Sequence, residues 1–196
     1  LVFEATSGGH WDFDNYSKLE LVVDTQTGAI LHEKNLILHV DGNASGMATE
    51  SSGADVCEPE SSMGMPYSKI TLSGNTVYTD VDGNYSVSGS GTITSDLDGL
   101  WFNLSPNATV SQNSSNPNLV HNASNSSETN RASVNAYLHS NIVRDFTLLY
   151  APDFPTIGNQ QGFNVNTGVS GTCNAFYDGG SINFYKRSAP INYEDM

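Results

Sequence analysis

The chain has 196 residues, enough to bury a core in one domain or in two small ones. Hydrophobic residues make up 37% and aromatic residues 10%, against 14% charged, a balance that suits a packed β-rich fold better than a disordered chain. Its 21 acidic and 7 basic side chains leave a formal charge of −14 with no basic run, which argues against nucleic acid and anionic membranes as partners and favours divalent cations. No apolar run approaches the roughly 20 residues that span a bilayer.

In chain order, residues 1–40 read as an N-terminal β-hairpin segment. Leu19, Leu21 and Val23 alternate with Lys18, Glu20 and Val22, a turn follows at 24–28, and Ala29 to Val40 returns as a second strand. Residues 41–105 read as a β-sandwich. It opens with a Gly-, Ser- and acid-rich loop around Cys57. Short strands then recur at Lys69–Leu72, Thr76–Tyr78, Tyr85–Val87, Thr92–Thr94 and Leu100–Leu104, separated by Gly- and Asp-bearing turns. Residues 106–130 hold few large apolar side chains and read as an exposed linker.

Residues 131–196 read as one helix followed by a β-hairpin or meander. Val134, Leu138, Ile142 and Phe146 recur at four-residue spacing, with Val143, Leu149 and Tyr150 widening the stripe. Pro152 and Pro155 stop the helix near residue 150. Turns are expected at Thr167–Gly168 and Asp178–Gly180 within the final strands. The predicted class is thus mainly β.

Eight Asn-x-Ser/Thr signals are present, at Asn15, Asn43, Asn84, Asn103, Asn107, Asn113, Asn122 and Asn125. The composition alone would produce about four. Five of the eight fall between Asn103 and Asn125, and none occurs from Asn130 onward, although nine asparagines lie there. That distribution predicts a secreted or cell-surface protein with N-linked glycans on an exposed stretch and a packed region after it. The chain begins at Leu1, and a leader removed on secretion is the matching expectation. Cys57 and Cys173 are compatible with one disulfide, whose closure of a loop of about 100 residues is worth up to roughly 4.7 kcal/mol. Two separate buried thiols are the alternative.

Three segments, the last of them in two stretches, together resemble one family. VVDTQTGAIL (22–31) resembles the closing hairpin of a secreted-peptidase propeptide. VYTDVDGNYSV (77–87) resembles the core hairpin of a carboxypeptidase-regulatory-like, immunoglobulin-type β-sandwich. VNAYLHSNIVRDF (134–146) and TCNAFYDGGSINFY (172–185) resemble the opening of the catalytic domain of fungalysin- and thermolysin-like zinc metallopeptidases. The resemblance implies an immunoglobulin-like sandwich followed by the region that precedes a zinc helix. In that family the metal is held through His-Glu-x-x-His, and this chain has no such motif. Its histidines are His10, His32, His39, His121 and His139, with no pair at that spacing. No catalytic residue carries over, and no enzyme activity or metal is expected.

The run Thr79 to Asn84 sets Asp80 and Asp82 two residues apart before Gly83, part of the pattern of a calcium loop. The ordinary reading is a hairpin turn that uses Asp and Gly for its backbone geometry, and Asp96 to Gly99 reads the same way. Asp12 and Asp14 read as solvated surface acids. Trp11 and Trp101 read as core residues, with sugar stacking as the alternative.

The functional expectation is a non-catalytic extracellular structural glycoprotein, a homo-oligomer that assembles into a filament or surface layer by strand exchange between subunits. The alternative is the non-catalytic N-terminal part of a secreted zinc metallopeptidase, acting in folding, inhibition or targeting.

Overall fold

A computed structural model describes residues 1–7, 17–37, 39–49, 60–172 and 174–186. The chain is mainly β, and Glu128–Tyr150 is the one α-helix among the described residues (α1). No helix of the described residues is long and apolar enough to cross a membrane.

The N-terminal segment is a three-stranded antiparallel sheet rather than a hairpin. Its strands are Val2–Ser7 (β1), Ser17–Val23 (β2) and Ile30–Asn35 (β3), with β2 in the middle. The β2–β3 turn forms because Asp24 Oδ1 accepts the N–H groups of Gln26 at 2.7 Å and Thr27 at 3.2 Å. Gly28 closes it by donating its N–H to the Asp24 carbonyl at 2.9 Å, with a φ of +73° that favours glycine. The expected second strand divides after Asn35, because His39 already belongs to the next sheet. None of the described side chains between residues 1 and 37 is buried.

The middle of the chain is a β-sandwich built from eight strands. They are His39–Ala48 (β4), Ser61–Gly64 (β5), Lys69–Leu72 (β6), Asn75–Tyr78 (β7), Asn84–Ser88 (β8) and Thr92–Asp96 (β9), joined after Phe102–Ser105 (β10) by Thr109–Asn113 (β11) and Leu119–His121 (β12). One sheet runs β11-β9-β6-β7 and the other β12-β4-β5, with β8 pairing the first half of β4. Ile70, Leu72 and Ile93 of the first sheet meet Ala44, Tyr85, Val87 and Leu119 of the second in one buried cluster. Alternation places these side chains on the inner faces.

Two sequence expectations fail here. Residues 106–130 are not a linker: β11 pairs with β9, β12 pairs in parallel with β4, and Leu119 is fully buried. The signal was weak because β11 turns Thr109, Ser111 and Asn113 outward and β12 has only three residues. Nor does a domain end at residue 105. Strand β10 leaves the sandwich and joins a third sheet with Phe163–Thr172 (β13), Ala175–Tyr177 (β14) and Ser181–Lys186 (β15), in the order β10-β13-β15-β14. Phe102 and Leu104 of β10 bury against Val134, Tyr137 and Leu138 of α1 and Val165 of β13, beside Ala48, Met65 and Leu97 of the sandwich. This second core welds the expected units 41–105 and 131–196 together.

Parallel neighbours need a long crossover, and α1 lies within the connection from β10 to β13. Ser127 caps it by accepting the Asn130 N–H at 3.4 Å, and it ends at Ala151, ahead of Pro152. The Thr167–Gly168 turn does not reverse the chain; β13 runs through it with a register shift. Strands β13 and β15 are therefore parallel, and only β14–β15 forms a hairpin.

The apolar stripe of α1 is only half used. Val134, Tyr137 and Leu138 are buried, whereas Ile142, Val143, Phe146, Leu149 and Tyr150 are exposed. The cores end before the helix does.

Candidate functional surfaces

The glycan signals occupy three kinds of position. Asn84, Asn107 and Asn113 are exposed, on β8, ahead of β11 and at the end of β11. Asn43, Asn103 and Asn125 are half-buried, on β4, on β10 and ahead of α1. Asn122 is 8% exposed, and its Nδ2 donates to the Met47 carbonyl at 3.2 Å and to Asn125 Oδ1 at 3.0 Å. Asn15 lies outside the described residues, as do Cys57 and Cys173 of the expected disulfide, and His10, Trp11, Asp12 and Asp14.

Asn125 sits in a network that ties β5 to the start of α1. Its Nδ2 donates to Glu60 Oε2 at 2.8 Å, while Arg131 donates to Asn125 Oδ1 at 3.1 Å and pairs with Glu60 Oε1 at 2.6 Å. The Glu60 side chain is 4% exposed, so this pair is largely desolvated and needs its hydrogen-bonding partners.

Asp80 is an organiser of its turn. Its carboxylate accepts the N–H groups of Asp82 at 2.9 Å and Asn84 at 2.8 Å, and the Asn84 side-chain amide at 3.2 Å. Burial pushes this carboxyl up, but the bonds from Asn84, Asp82 and Gly83 outweigh it and hold the group below its ordinary range. Gly83 has φ +82°, and a Cβ there would lie 2.3 Å from the Ala44 carbonyl oxygen. The turn is seated against the sandwich, and Asp82 is left exposed. Among the described residues no three His, Cys, Asp or Glu side chains group for a metal ion.

The four described histidines have separate surroundings. His32 is exposed on β3, His39 Nδ1 lies 3.4 Å from Ser88 Oγ, and His139 Nε2 lies 3.0 Å from the Thr49 carbonyl. His121 is buried with Nε2 2.9 Å from Ser95 Oγ, and burial pushes its pKa down to about 4 against the opposing pull of Asp96. Trp101 is half-buried against the second core, with Arg144 over one ring face.

Apolar surface is concentrated in two places. Between α1 and the third sheet lies a cleft of about 720 Å³, lined by Ala136, Val143, Ile157, Phe163, Ile182 and Phe184 among others. On the other flank of the helix, Ile142, Phe146 and Leu149 face Met63, Pro66 and Val81 across a second hollow of about 600 Å³. The third sheet also ends in an edge strand, β14, whose three residues are all exposed. The second place is the N-terminal sheet. Its register sets Leu19 beside Ala5, with Leu21 and Val23 on the same face of β2, and Leu1, Ile30 and Leu31 remain exposed.

Compared with known proteins, the chain matches no family model, no curated protein and no solved structure. The likeness to fungalysin- and thermolysin-like peptidases therefore rests on the four stretches that carry it.

Proposed function

We propose that this chain is a non-catalytic, extracellular structural glycoprotein that self-associates through strand exchange, with an immunoglobulin-like sandwich as its rigid middle. The observation that carries the reading is the N-terminal sheet, none of whose described side chains is buried. Three strands gain independent stability only by packing a hydrophobic face against something. A second copy offers the matching surface: the apolar cleft beside α1 and the open edge of β14. An uncovered edge strand is a template for pairing with another chain.

Such a contact joins two different surfaces of one chain. It is head-to-tail and propagates into a filament unless the rotation closes a ring. The exposed signals at Asn84, Asn107 and Asn113 lie on the sandwich and would coat the assembly with sugar, limiting sideways aggregation. The assembly needs no cofactor beyond its N-linked glycans. Sedimentation velocity over a concentration series tests the reading: the expected result is growth into oligomers, and a chain that stays monomeric at high concentration overturns it.

A further inference from the structure

Four of the glycan signals form two hydrogen-bonded pairs. Strands β4 and β8 set Asn43 directly opposite Asn84. Asn43 Nδ2 donates to Asn84 Oδ1 at 3.0 Å and to the Asp82 carbonyl at 3.0 Å, so both of its amide hydrogens are engaged. Asn84 Nδ2 donates to Asp80 Oδ2 at 3.2 Å, and its side chain is exposed. The second pair repeats the arrangement. Asn122 gives its two amide hydrogens to the Met47 carbonyl and to Asn125 Oδ1, while Asn125 Nδ2 donates to Glu60.

An N-glycan replaces one hydrogen on Nδ2 and must project into water. On Asn84 the sugar leaves Oδ1 free to accept from Asn43 and leaves one N–H for Asp80. On Asn125 it likewise leaves Oδ1 for Asn122 and one N–H for Glu60. On Asn43 or Asn122 it would break one of two bonds, and Asn122 is in addition only 8% exposed. At Asn122 a broken bond strands a polar partner at a site water reaches poorly.

From these geometries we infer that the signals do not act independently: each pair carries one glycan, on Asn84 and on Asn125, while Asn43 and Asn122 serve as unmodified locks. The inference rests on the extracellular reading above and assigns its sugar positions. A glycan on Asn84 stands at the β4–β8 pairing, and one on Asn125 stands two residues before the cap of α1.

The test is enzymatic release of glycans from the full-length secreted protein in heavy-oxygen water, with each site read by peptide mass spectrometry. Occupancy at Asn84 and Asn125 should exceed that at Asn43 and Asn122 by about tenfold or more. Molecules carrying sugar on both members of a pair, or equal occupancy within a pair, overturn the inference. A Ser86→Ala variant removes the Asn84 signal at an exposed position and keeps the amide pair. It should lose one glycan without moving it to Asn43; transfer to Asn43 defeats the proposed lock. Absence of sugar at every site, Asn107 and Asn113 included, defeats the extracellular reading and this inference together.

Discussion

The guanidinium carbon of Arg144 lies 3.5 Å from the centroid of the Trp101 ring. Arg144 also donates to Asp145 Oδ1 at 3.0 Å, and the Tyr67 hydroxyl donates to the other Asp145 oxygen at 2.8 Å. Tyr67 completes the ring of contacts by meeting Trp101 edge-on, with centroids 6.3 Å apart. Three stretches of chain, around Tyr67, around Trp101 and along α1, are held at one point. Arg144→Ala removes the cation from the ring face and leaves Asp145 with the Tyr67 hydroxyl but without its cationic partner. The expected loss is about 2–4 kcal/mol in urea unfolding, with a shift in Trp fluorescence. Arg144→Met keeps the apolar stem and should lose less.

His121 makes stability depend on pH. Its folded pKa is pushed down to about 4 from an ordinary 6.5, so below 6.5 the unfolded chain binds the proton more readily. Its stabilising contribution is complete above pH 6.5 and is lost progressively as pH falls toward 4. The loss is on the order of 3 kcal/mol at the acid end. Urea midpoints measured between pH 7 and pH 4 should fall accordingly. A His121→Gln variant should flatten that part of the profile; an unchanged slope would contradict the assignment.

Gly83 is a steric pin. Its φ of +82° is disfavoured for any side chain, and a Cβ would also come within 2.9 Å of the Met65 nitrogen. Gly83→Ala should cost about 2–3 kcal/mol, read as a lowered denaturation midpoint. Gly74→Ala is the control: its φ is +86°, and a Cβ there meets nothing within 4 Å, so its cost should be smaller.

Val143 separates assembly from folding. It is 59% exposed and lines the cleft beside α1. Val143→Asp should change unfolding free energy by no more than about 0.5 kcal/mol, the usual range for surface substitutions. Self-association, followed by sedimentation, should be abolished.

Much of the strand order was legible because alternation and turn chemistry agree locally. Lys69–Leu72 was read with its observed bounds, and the Asp24–Gly28 turn follows from one side chain and one positive φ. The shorter strands around Val77, Tyr85 and Ile93 differ from their expected ends by one or two residues. Strands β11 and β12 were hidden by the polar side chains on the outward face of β11 and by the brevity of β12. The pairing of β10 with β13 joins Phe102 to Phe163, a long-range choice that no local pattern encodes. How far the stripe of α1 is covered is also not encoded locally: Ile142 and Phe146 keep the helical period of buried residues, and only the extent of the core decides whether they are covered. The pairing of Asn43 with Asn84 likewise needs the β4–β8 register before it can be seen.

Electron microscopy of the native glycoprotein, with intact mass taken on the same preparation, tests the central claim most directly. The account predicts regular filaments whose repeating subunit contains this chain and carries N-linked glycans. Single particles that stay dispersed at high concentration would contradict it.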